Sequence, residues 1–488
     1  MHISHCLMAS TYSTCDKDRR LAHNTLLQFS YTVMDGGGRV RVVSRRVVRP
    51  STSPLKGEVE VIHLSPLDLR LIRTDSLQKG VLLPKPPVSG AGLVDALASS
   101  FSRALDLFYP FAGRLAAEER GDGTVTVSLR CTGEGAELVH ALAPGVAAAD
   151  IVSSVYTPSL VRDELHSFDP ARGADAAVEA LPLLSVQVTE LADGVFVGVT
   201  LNHSAADGAA LWHFFNTWAE IHRRGGVGAS CDLSTPAPVL QRWFLETWPV
   251  PIPLPFGKLE DIARQVERAT VREAFFTFAT ASVTELTARA NGEIAGTAAA
   301  ISSLQAVLAH LWRAVCRARR MPPEQGTSYS VLIDCRGRVK GIPPGYVGNA
   351  ATFGKAEATA GEIEEKGLGW TAWLLNRAEA SFDEASVRES ATRWVQQPEL
   401  MFISDLTSAG TAVATGSSSW SDVFGNDFGW GRPVTMRSGA GNKTDGKAAV
   451  FEGPERGGGM SLELCLAPDA LERLVADEEF MDAVSLPA

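Results

Sequence analysis

The chain of 488 residues lacks any run of apolar residues long enough to cross a bilayer as a helix. Its first forty residues also lack the continuous apolar segment of a secretory signal. Seven cysteines are scattered along the chain, and no two of them form a C-x-x-C pair. An odd and scattered set of this kind is typical of reduced thiols. We therefore expect a cytoplasmic protein with no membrane span.

The motifs of several common site classes are also missing. There is no H-E-x-x-H for a metal, no G-x-S-x-G for a hydrolase nucleophile and no G-x-G-x-x-G that opens a dinucleotide fold. Residues 441–447, GNKTDGK, resemble the start of a phosphate-binding loop, but Ala448 stands where that loop needs a hydroxyl residue. We expect a glycine-rich turn there, no metal site and no bound cofactor.

The chain has fewer basic than acidic residues. Lys and Arg number 45 against 56 Asp and Glu, which leaves a formal net charge of −11. A nucleic-acid binder normally carries a basic field, so this balance argues against one. The hydrophobic share of 45% is ordinary for a globular protein, and the length favours two domains over one.

Composition divides the chain into segments. The first 38 residues are polar, lack periodicity and end in three glycines, which predicts disorder; Met34 is an alternative start, so whether residues 1–33 belong to the native protein is left open. A glycine cluster and a proline-rich run near the middle exclude a packed helix. The predicted segments are a disordered extension (1–38), a first domain (39–222), a crossover linker (223–265) and a second domain (266–488).

Two alternating apolar runs, 183–189 and 195–201, predict a hairpin of adjacent strands. A helix is expected from Asp207 onward, and the aromatic residues at helical spacing along it are more typical of core packing than of ligand contact. The run HSAADG, from His203 to Gly208, joins the second strand to this helix.

His203 is the leading catalytic candidate. A histidine at the mouth of a strand is held rigidly and can exchange a proton near neutral pH. Asp207 is close enough to fix the ring or the loop that carries it. One general base without a metal suits acyl transfer from a thioester, because the thiol already leaves well and the enzyme must only deprotonate the acceptor and stabilise an oxyanion.

Further motifs identify a family. DFGWG stands at residues 427–431, and between it and HSAADG lie SSLQAVLAHLWR from Ser302, DCRGR from Asp334 and GYVGNA from Gly345. YPFAGRL begins at Tyr109. With these motifs in order, residues 40 to 485 resemble the BAHD acyltransferases, a plant family that transfers acyl groups from coenzyme A thioesters to alcohols or amines. The resemblance is strongest to its cuticle-related and defence-related members.

The resemblance implies an α/β (α+β) fold of two chloramphenicol-acetyltransferase-like domains, with an active-site channel at their interface. It implies that His203 is the general base and that Asp207 turns away from the cleft to pair with an arginine, for which Arg336 is the candidate. It also implies a mainly structural DFGWG loop that supports the coenzyme A side, and a monomeric enzyme of specialised or cuticle-related metabolism. The implied supporting residues are Asp427, Gly429, Trp430 and Gly431.

The remaining assignments are weaker. Ser417 and Ser418 are candidate oxyanion donors because the family has a small hydroxyl residue upstream of DFGWG. Arg432, Arg437 and Lys443 follow DFGWG in a glycine-rich stretch and are candidates for coenzyme A phosphates. Acyl-CoA is the expected co-substrate and a small alcohol or amine the acceptor. Two alternatives stay open: a lyase without an acyl donor on the same scaffold, and a catalytically silent binding protein.

Overall fold

The computed structural model describes residues 39–52, 59–167, 173–225, 233–262, 270–296, 299–416, 422–455 and 457–485, and the predicted disorder of residues 1–38 lies outside these ranges. The strands in these ranges are β1 (Arg41–Val48), β2 (Val61–His63), β3 (Leu77–Pro84), β4 (Arg114–Glu119), β5 (Val125–Arg130), β6 (Ala136–Ala143), β7 (Leu184–Leu191), β8 (Gly194–Leu201), β9 (Arg272–Phe278), β10 (Gly326–Asp334), β11 (Ala351–Thr359), β12 (Ala412–Thr415), β13 (Thr435–Ser438), β14 (Lys447–Glu452) and β15 (Met460–Leu466). The helices are α1 (Pro66–Leu69), α2 (Gly90–Leu107), α3 (Ala148–Val152), α4 (Ser159–Asp163), α5 (Gly173–Glu179), α6 (Gly208–Arg223), α7 (Thr280–Glu293), α8 (Ser303–Ala318), α9 (Ala360–Glu365), α10 (Gly367–Ala380), α11 (Glu384–Gln396), α12 (Pro468–Val475) and α13 (Glu478–Met481).

The first sheet has the order β1-β6-β7-β8-β3-β13. β7 and β8 pair antiparallel, from Leu184 opposite Leu201 to Glu190 opposite Val195, so the predicted hairpin is confirmed. Every residue of β8 is buried, because the strand lies inside the sheet with elements packed on both faces. The chain leaves this rigid strand at Leu201, directly before the HSAADG run.

The second sheet has the order β11-β10-β12-β14-β15-β9. Its central pairings, β10 with β12 and β12 with β14, are parallel, whereas the outer ones are antiparallel. α7, α8 and α10 pack against one another beside this sheet. α8 begins at a capping box in which Ser302 and Gln305 satisfy each other's backbone amides, as its sequence favours.

One strand from the C-terminal half belongs to the first sheet. β13 pairs antiparallel with β3, with Thr435 opposite Leu82, and the chain then returns to the second sheet through β14. The side chain of Met436 joins the first hydrophobic core together with Phe428. A strand of four residues from the predicted segment 266–488 therefore belongs to the sheet of the predicted segment 39–222. This strand connects the two halves.

The described part of the crossover linker, residues 233–262, contains no α-helix. It packs against both halves. Trp243 and Trp248 are buried against each other, with ring centroids 5.2 Å apart, beside Tyr346 of the C-terminal half. Leu254 pairs with Val125 in an isolated bridge on the N-terminal side. No helix in the described ranges is both long and apolar enough to cross a membrane.

Candidate active site

His203 lies in the turn between β8 and α6, where its ring borders a cavity between the two sheets. Its Nδ1 atom is buried and has no hydrogen-bond partner among the described residues. Burial lowers the pKa of His203 below its ordinary value, and the nearby Lys447 ammonium lowers it further, while Asp207 opposes the shift. The imidazole is therefore neutral at physiological pH and able to accept a proton.

Asp207 does not contact that ring. Its Oδ1 accepts hydrogen bonds from Arg336 Nη2 at 2.8 Å and from the Ala210 amide at 3.0 Å. Its Oδ2 accepts from Arg336 Nη1 at 2.9 Å and from the Ala350 amide at 2.9 Å. Burial alone would raise the pKa of Asp207, but the Arg336 charge and these hydrogen bonds outweigh burial and hold the pKa below its usual value. Asp207 is thus an ionised N-cap of α6 that fixes the loop.

Two further side chains hold the same loop. Asn349, in the GYVGNA stretch, donates from Nδ2 to the carbonyl of His203 at 2.8 Å and to Asp68 Oδ1 at 2.9 Å. Arg242, in the crossover, donates to the Ala205 carbonyl at 2.6 Å. The turn that carries His203 is therefore fixed by residues from the crossover and the C-terminal half, and its geometry depends on the docking of the two halves.

The cavity has a volume of about 1080 Å³ when its open mouth is included. It draws its wall from both halves, with Trp212 of α6 on one side and Leu332, Phe353 and Thr415 of the second sheet on the other. An open cleft beside α6 shares Trp212 with the cavity, and a second cleft beside the β14–β15 connection shares Leu332 and Thr415. The site is thus flanked by two separate surface clefts.

The DFGWG loop lies against α6 and outside the cavity lining. The Asp427 carboxylate accepts hydrogen bonds from the amides of Gly429 at 2.7 Å and Gly431 at 3.1 Å, and both glycines have positive φ angles, which favour glycine. The ring of Phe428 packs edge-on against Trp218 of α6 at 4.9 Å and stacks with Trp430 at 5.5 Å. The loop therefore supports the helix whose first turn is capped by Asp207.

Two of the three residues predicted to bind coenzyme A phosphates are buried against internal partners. Arg437 is buried, with its guanidinium 3.9 Å from the Phe275 ring centroid and a hydrogen bond to the Ile151 carbonyl. Lys443 is buried against two carboxylates, Glu273 at 2.6 Å and Glu463 at 2.9 Å. Internal partners hold both side chains, and their binding of coenzyme A phosphates stays a prediction.

Arg432, the third of these residues, is exposed and lines the cleft beside the β14–β15 connection. Its Nε donates to the carbonyl of Phe424 at 3.1 Å. Arg338, in the DCRGR stretch, lines the same cleft. Of the three candidates, Arg432 is the exposed one.

Ser417 and Ser418 lie outside the described residues. Thr415, two residues earlier at the end of β12, lines the cavity, and its Oγ1 lies 2.7 Å from the hydroxyl of Tyr329. The sequence reasoning missed Thr415, although it ends an apolar strand directly before the Gly-Ser run. A hydroxyl at the end of a buried strand is well placed to be held rigid.

Lys79 of β3 and Lys447 of β14 are also cavity residues that the sequence reasoning missed. Lys447 ends the predicted glycine-rich turn GNKTDGK, which links β13 to β14. The turn is held by Asn442, whose Nδ2 donates to the carbonyl of Asp75 at 2.7 Å. The resemblance of the turn to a phosphate-binding loop was the one signal that could have drawn attention to Lys447.

Comparison with known proteins shows which family the chain resembles. Residues 39–481 match the family described as the Transferase family. An uncharacterized acetyltransferase of Arabidopsis thaliana is 35% identical over 452 residues, which cover 91% of this chain and 99% of that protein. BAHD acyltransferase DCR of Arabidopsis thaliana is 30% identical over 462 residues, which cover 91% of this chain and 92% of that protein.

A solved structure shares the fold. The crystal structure of F. graminearum TRI101 complexed with ethyl coenzyme A superimposes with a TM-score of 0.65 at 18% identity, and the match covers 88% of this chain and 99% of that one. The predicted two-domain α/β fold and the predicted family are confirmed. The chain therefore belongs to the BAHD family and is an acyltransferase that transfers groups other than aminoacyl groups.

Proposed function

We propose that the protein transfers an acyl group from an acyl-CoA to the hydroxyl or amine of a small acceptor, with His203 as the general base. The observation that carries this proposal is a neutral, half-buried histidine whose side chain lines a cavity between the two halves. The TRI101 structure in complex with ethyl coenzyme A supports the donor class, because this chain shares its fold.

The chemistry is a single addition and elimination. His203 takes the proton from the acceptor O–H or N–H while the oxygen or nitrogen attacks the thioester carbonyl carbon. The carbonyl oxygen becomes an oxyanion, and we assign its stabilisation to the hydroxyl of Thr415, which lines the cavity. When the intermediate collapses, the carbon–sulfur bond breaks and the imidazolium returns its proton to the thiolate of coenzyme A.

The two clefts suggest separate routes to His203. The cleft beside the β14–β15 connection carries two arginines that can bind the phosphates of coenzyme A, Arg338 and Arg432, and its wall also carries the carboxylates of Asp334, Glu379, Glu452 and Glu455. The cleft beside α6 is lined by Trp212, His213 and Asn216, and it suits a small polar acceptor. We assign the donor to the first and the acceptor to the second.

The finer assignments belong to this proposal. A cytoplasmic location agrees with the four described cysteines, which are buried and unpaired, and a monomer rests on the family resemblance. A role in specialised or cuticle-related metabolism rests on the family resemblance. The donor-free lyase and the silent binding protein are the competing readings, and the intact His203, Asp207 and DFGWG loop favour turnover of an acyl donor over both.

The first test is calorimetric titration of the purified protein with free coenzyme A, acetyl-CoA, malonyl-CoA, a long-chain acyl-CoA and a hydroxycinnamoyl-CoA. Binding of at least one thioester, followed by its turnover with an acceptor panel, is the expected result. His203→Ala should then lower kcat by about 10²–10⁴-fold with thioester binding retained. Full activity of this variant would refute the mechanism, and binding of no thioester would favour the lyase or the silent protein.

A further inference from the structure

Three basic side chains on the cavity wall have no acidic partner. Arg70, Lys79 and Lys447 all line the cavity that holds His203. The wall also carries two carboxylates, Asp207 and Asp334, but Arg336 binds both, at 2.8 and 3.1 Å. Among the described residues no carboxylate lies within ion-pair distance of the other three cations. The cavity therefore presents an excess of positive charge in an acidic protein.

These cations also keep unused hydrogen-bond donors. An ammonium has three N–H groups. Lys79 uses one for the hydroxyl of Ser438 at 2.7 Å, and Lys447 uses one for the carbonyl of Asn442 at 2.8 Å. The Nε of Arg70 is buried and has no hydrogen-bond partner. Donors left over at a cavity wall mark a place where an acceptor group of a ligand can bind.

The neighbouring Lys443 is a buried lysine with a structural role, and it provides a comparison for Lys79 and Lys447. Its ammonium is neutralised by two carboxylates, Glu273 and Glu463, at 2.6 and 2.9 Å. Lys79 and Lys447 have no carboxylate within ion-pair distance among the described residues, and Glu463 acts on both from farther away. Burial lowers the pKa of Lys79 to about 7 and the pKa of Lys447 to about 8. The charge of Lys443 lowers both pKa values further, whereas Glu463 and Cys465 act in the opposite direction. An anion between them would restore their charge.

We propose that Lys79 and Lys447 bind a carboxylate of the substrate, carried either by the acyl group of the donor or by the acceptor. This inference rests on the proposed function and names the chemical class of one substrate. The two lysines come from opposite halves, Lys79 from β3 and Lys447 from β14. Both also line a small side cavity of about 360 Å³ next to the catalytic one, together with Lys443 and Glu463.

The test compares charged and neutral ligands of similar size. Calorimetry would measure malonyl-CoA against propionyl-CoA and succinyl-CoA against butyryl-CoA for the donor, and para-hydroxybenzoate against its methyl ester for the acceptor. Binding of the acid about tenfold more tightly than its neutral partner is expected, as for one charge-assisted hydrogen-bonding site. Binding of the acid should also take up protons, measured as a dependence of the enthalpy on the ionisation heat of the buffer.

The matched variants are Lys79→Met/Lys447→Met and, as a control, Lys340→Met/Lys366→Met, which removes two exposed charges. The first should lose the preference for the acid and keep the neutral ligand, whereas the control should keep both. The ligand pair that loses its preference tells whether the carboxylate is on the donor or the acceptor. Equal binding of acid and neutral ligand by the unaltered protein, or a preference that survives the first variant, overturns the inference. If no acyl-CoA binds, the proposed function fails, and the acid and ester pair still decides this inference.

Discussion

Asp207 and Arg336 lie 129 residues apart in the chain and meet in two parallel hydrogen bonds of 2.8 and 2.9 Å. Asp207 ends the turn that carries His203 in the first half, and Arg336 follows β10 of the second sheet. Side chains of both are largely buried, at 12% and 8% exposure. The pair therefore acts as a clamp between the halves, and it sets the position of His203 without touching its ring.

Loss of the clamp should reduce stability and catalysis together. Arg336→Ala leaves the Asp207 charge buried without a partner, which costs about 3–5 kcal/mol in comparable cases. We expect a lower Tm and a lower kcat, with Arg336→Lys intermediate because an ammonium cannot form the two-pronged contact. Thermal unfolding and steady-state kinetics measure these effects. Arg393→Ala, which removes an exposed cation, is the control, and an unchanged Tm of Arg336→Ala would contradict the clamp.

The pH dependence of the reaction should show an acid limb below pH 6.5. The base works only when neutral, so activity falls as pH drops through the pKa of His203, which burial places below its ordinary value. Lys447→Met removes a positive charge that lowers this pKa, so the limb should move to higher pH. The profile of kcat/KM with a neutral donor and a neutral acceptor measures the shift. Lys366→Met should leave the limb in place, and a downward shift for Lys447→Met would contradict the assignment.

The local parts of the fold follow from local patterns. Alternation over residues 183–201 predicted the β7–β8 hairpin, and helical spacing after Asp207 predicted α6. Trp212 shows the limit of such a pattern, because it belongs to the core and also lines the cavity. Periodicity tells which face of a helix is buried, but it does not tell whether that face meets a core or a ligand site.

The rest of the site depends on contacts between distant residues. Arg432, Arg437 and Lys443 look alike in the sequence, but one is exposed and two are buried against internal partners. The difference arises because β13 leaves its own half and pairs with β3, which draws its flanking charges inside. A strand of four residues is too short for its hydrophobic pattern to predict the pairing of β13 with β3.

Thr415 should matter to the chemical step more than to binding. Thr415→Val keeps the shape of the side chain and removes the hydroxyl that we assign to the oxyanion. Removal of one oxyanion donor costs about 10²–10³-fold in kcat in comparable enzymes, with KM little changed. Tyr329→Phe removes the neighbouring hydroxyl, 2.7 Å from Thr415 Oγ1, and tests whether the effect needs that contact. An unchanged kcat of Thr415→Val would contradict this assignment and favour Ser417 or Ser418 as the oxyanion donor.

Lys443 distinguishes a structural cation from a ligand-binding one. Lys443→Met would leave Glu273 and Glu463 buried together without their shared counter-charge, so we expect a loss of about 3–5 kcal/mol in stability. Burial alone would raise the pKa of Glu463, but Lys443 and Lys79 outweigh it and lower that pKa to about 2. Glu463 therefore contributes stability above its ordinary pKa of 4.5, and the contribution is lost as pH falls from there towards 2.

Thermal unfolding of Lys443→Met between pH 3 and 7 measures both effects. The variant should have a much lower Tm than the unaltered protein at pH 7. The difference in Tm between the two proteins should become smaller in acid, where protonation removes the negative charges of the two buried carboxylates. Lys355→Met, which removes an exposed cation beside Glu357, should leave Tm unchanged. A role in phosphate binding predicts the opposite pattern, in which Lys443→Met keeps its Tm and loses affinity for coenzyme A. The two carboxylates already within 2.9 Å of this lysine favour the first outcome.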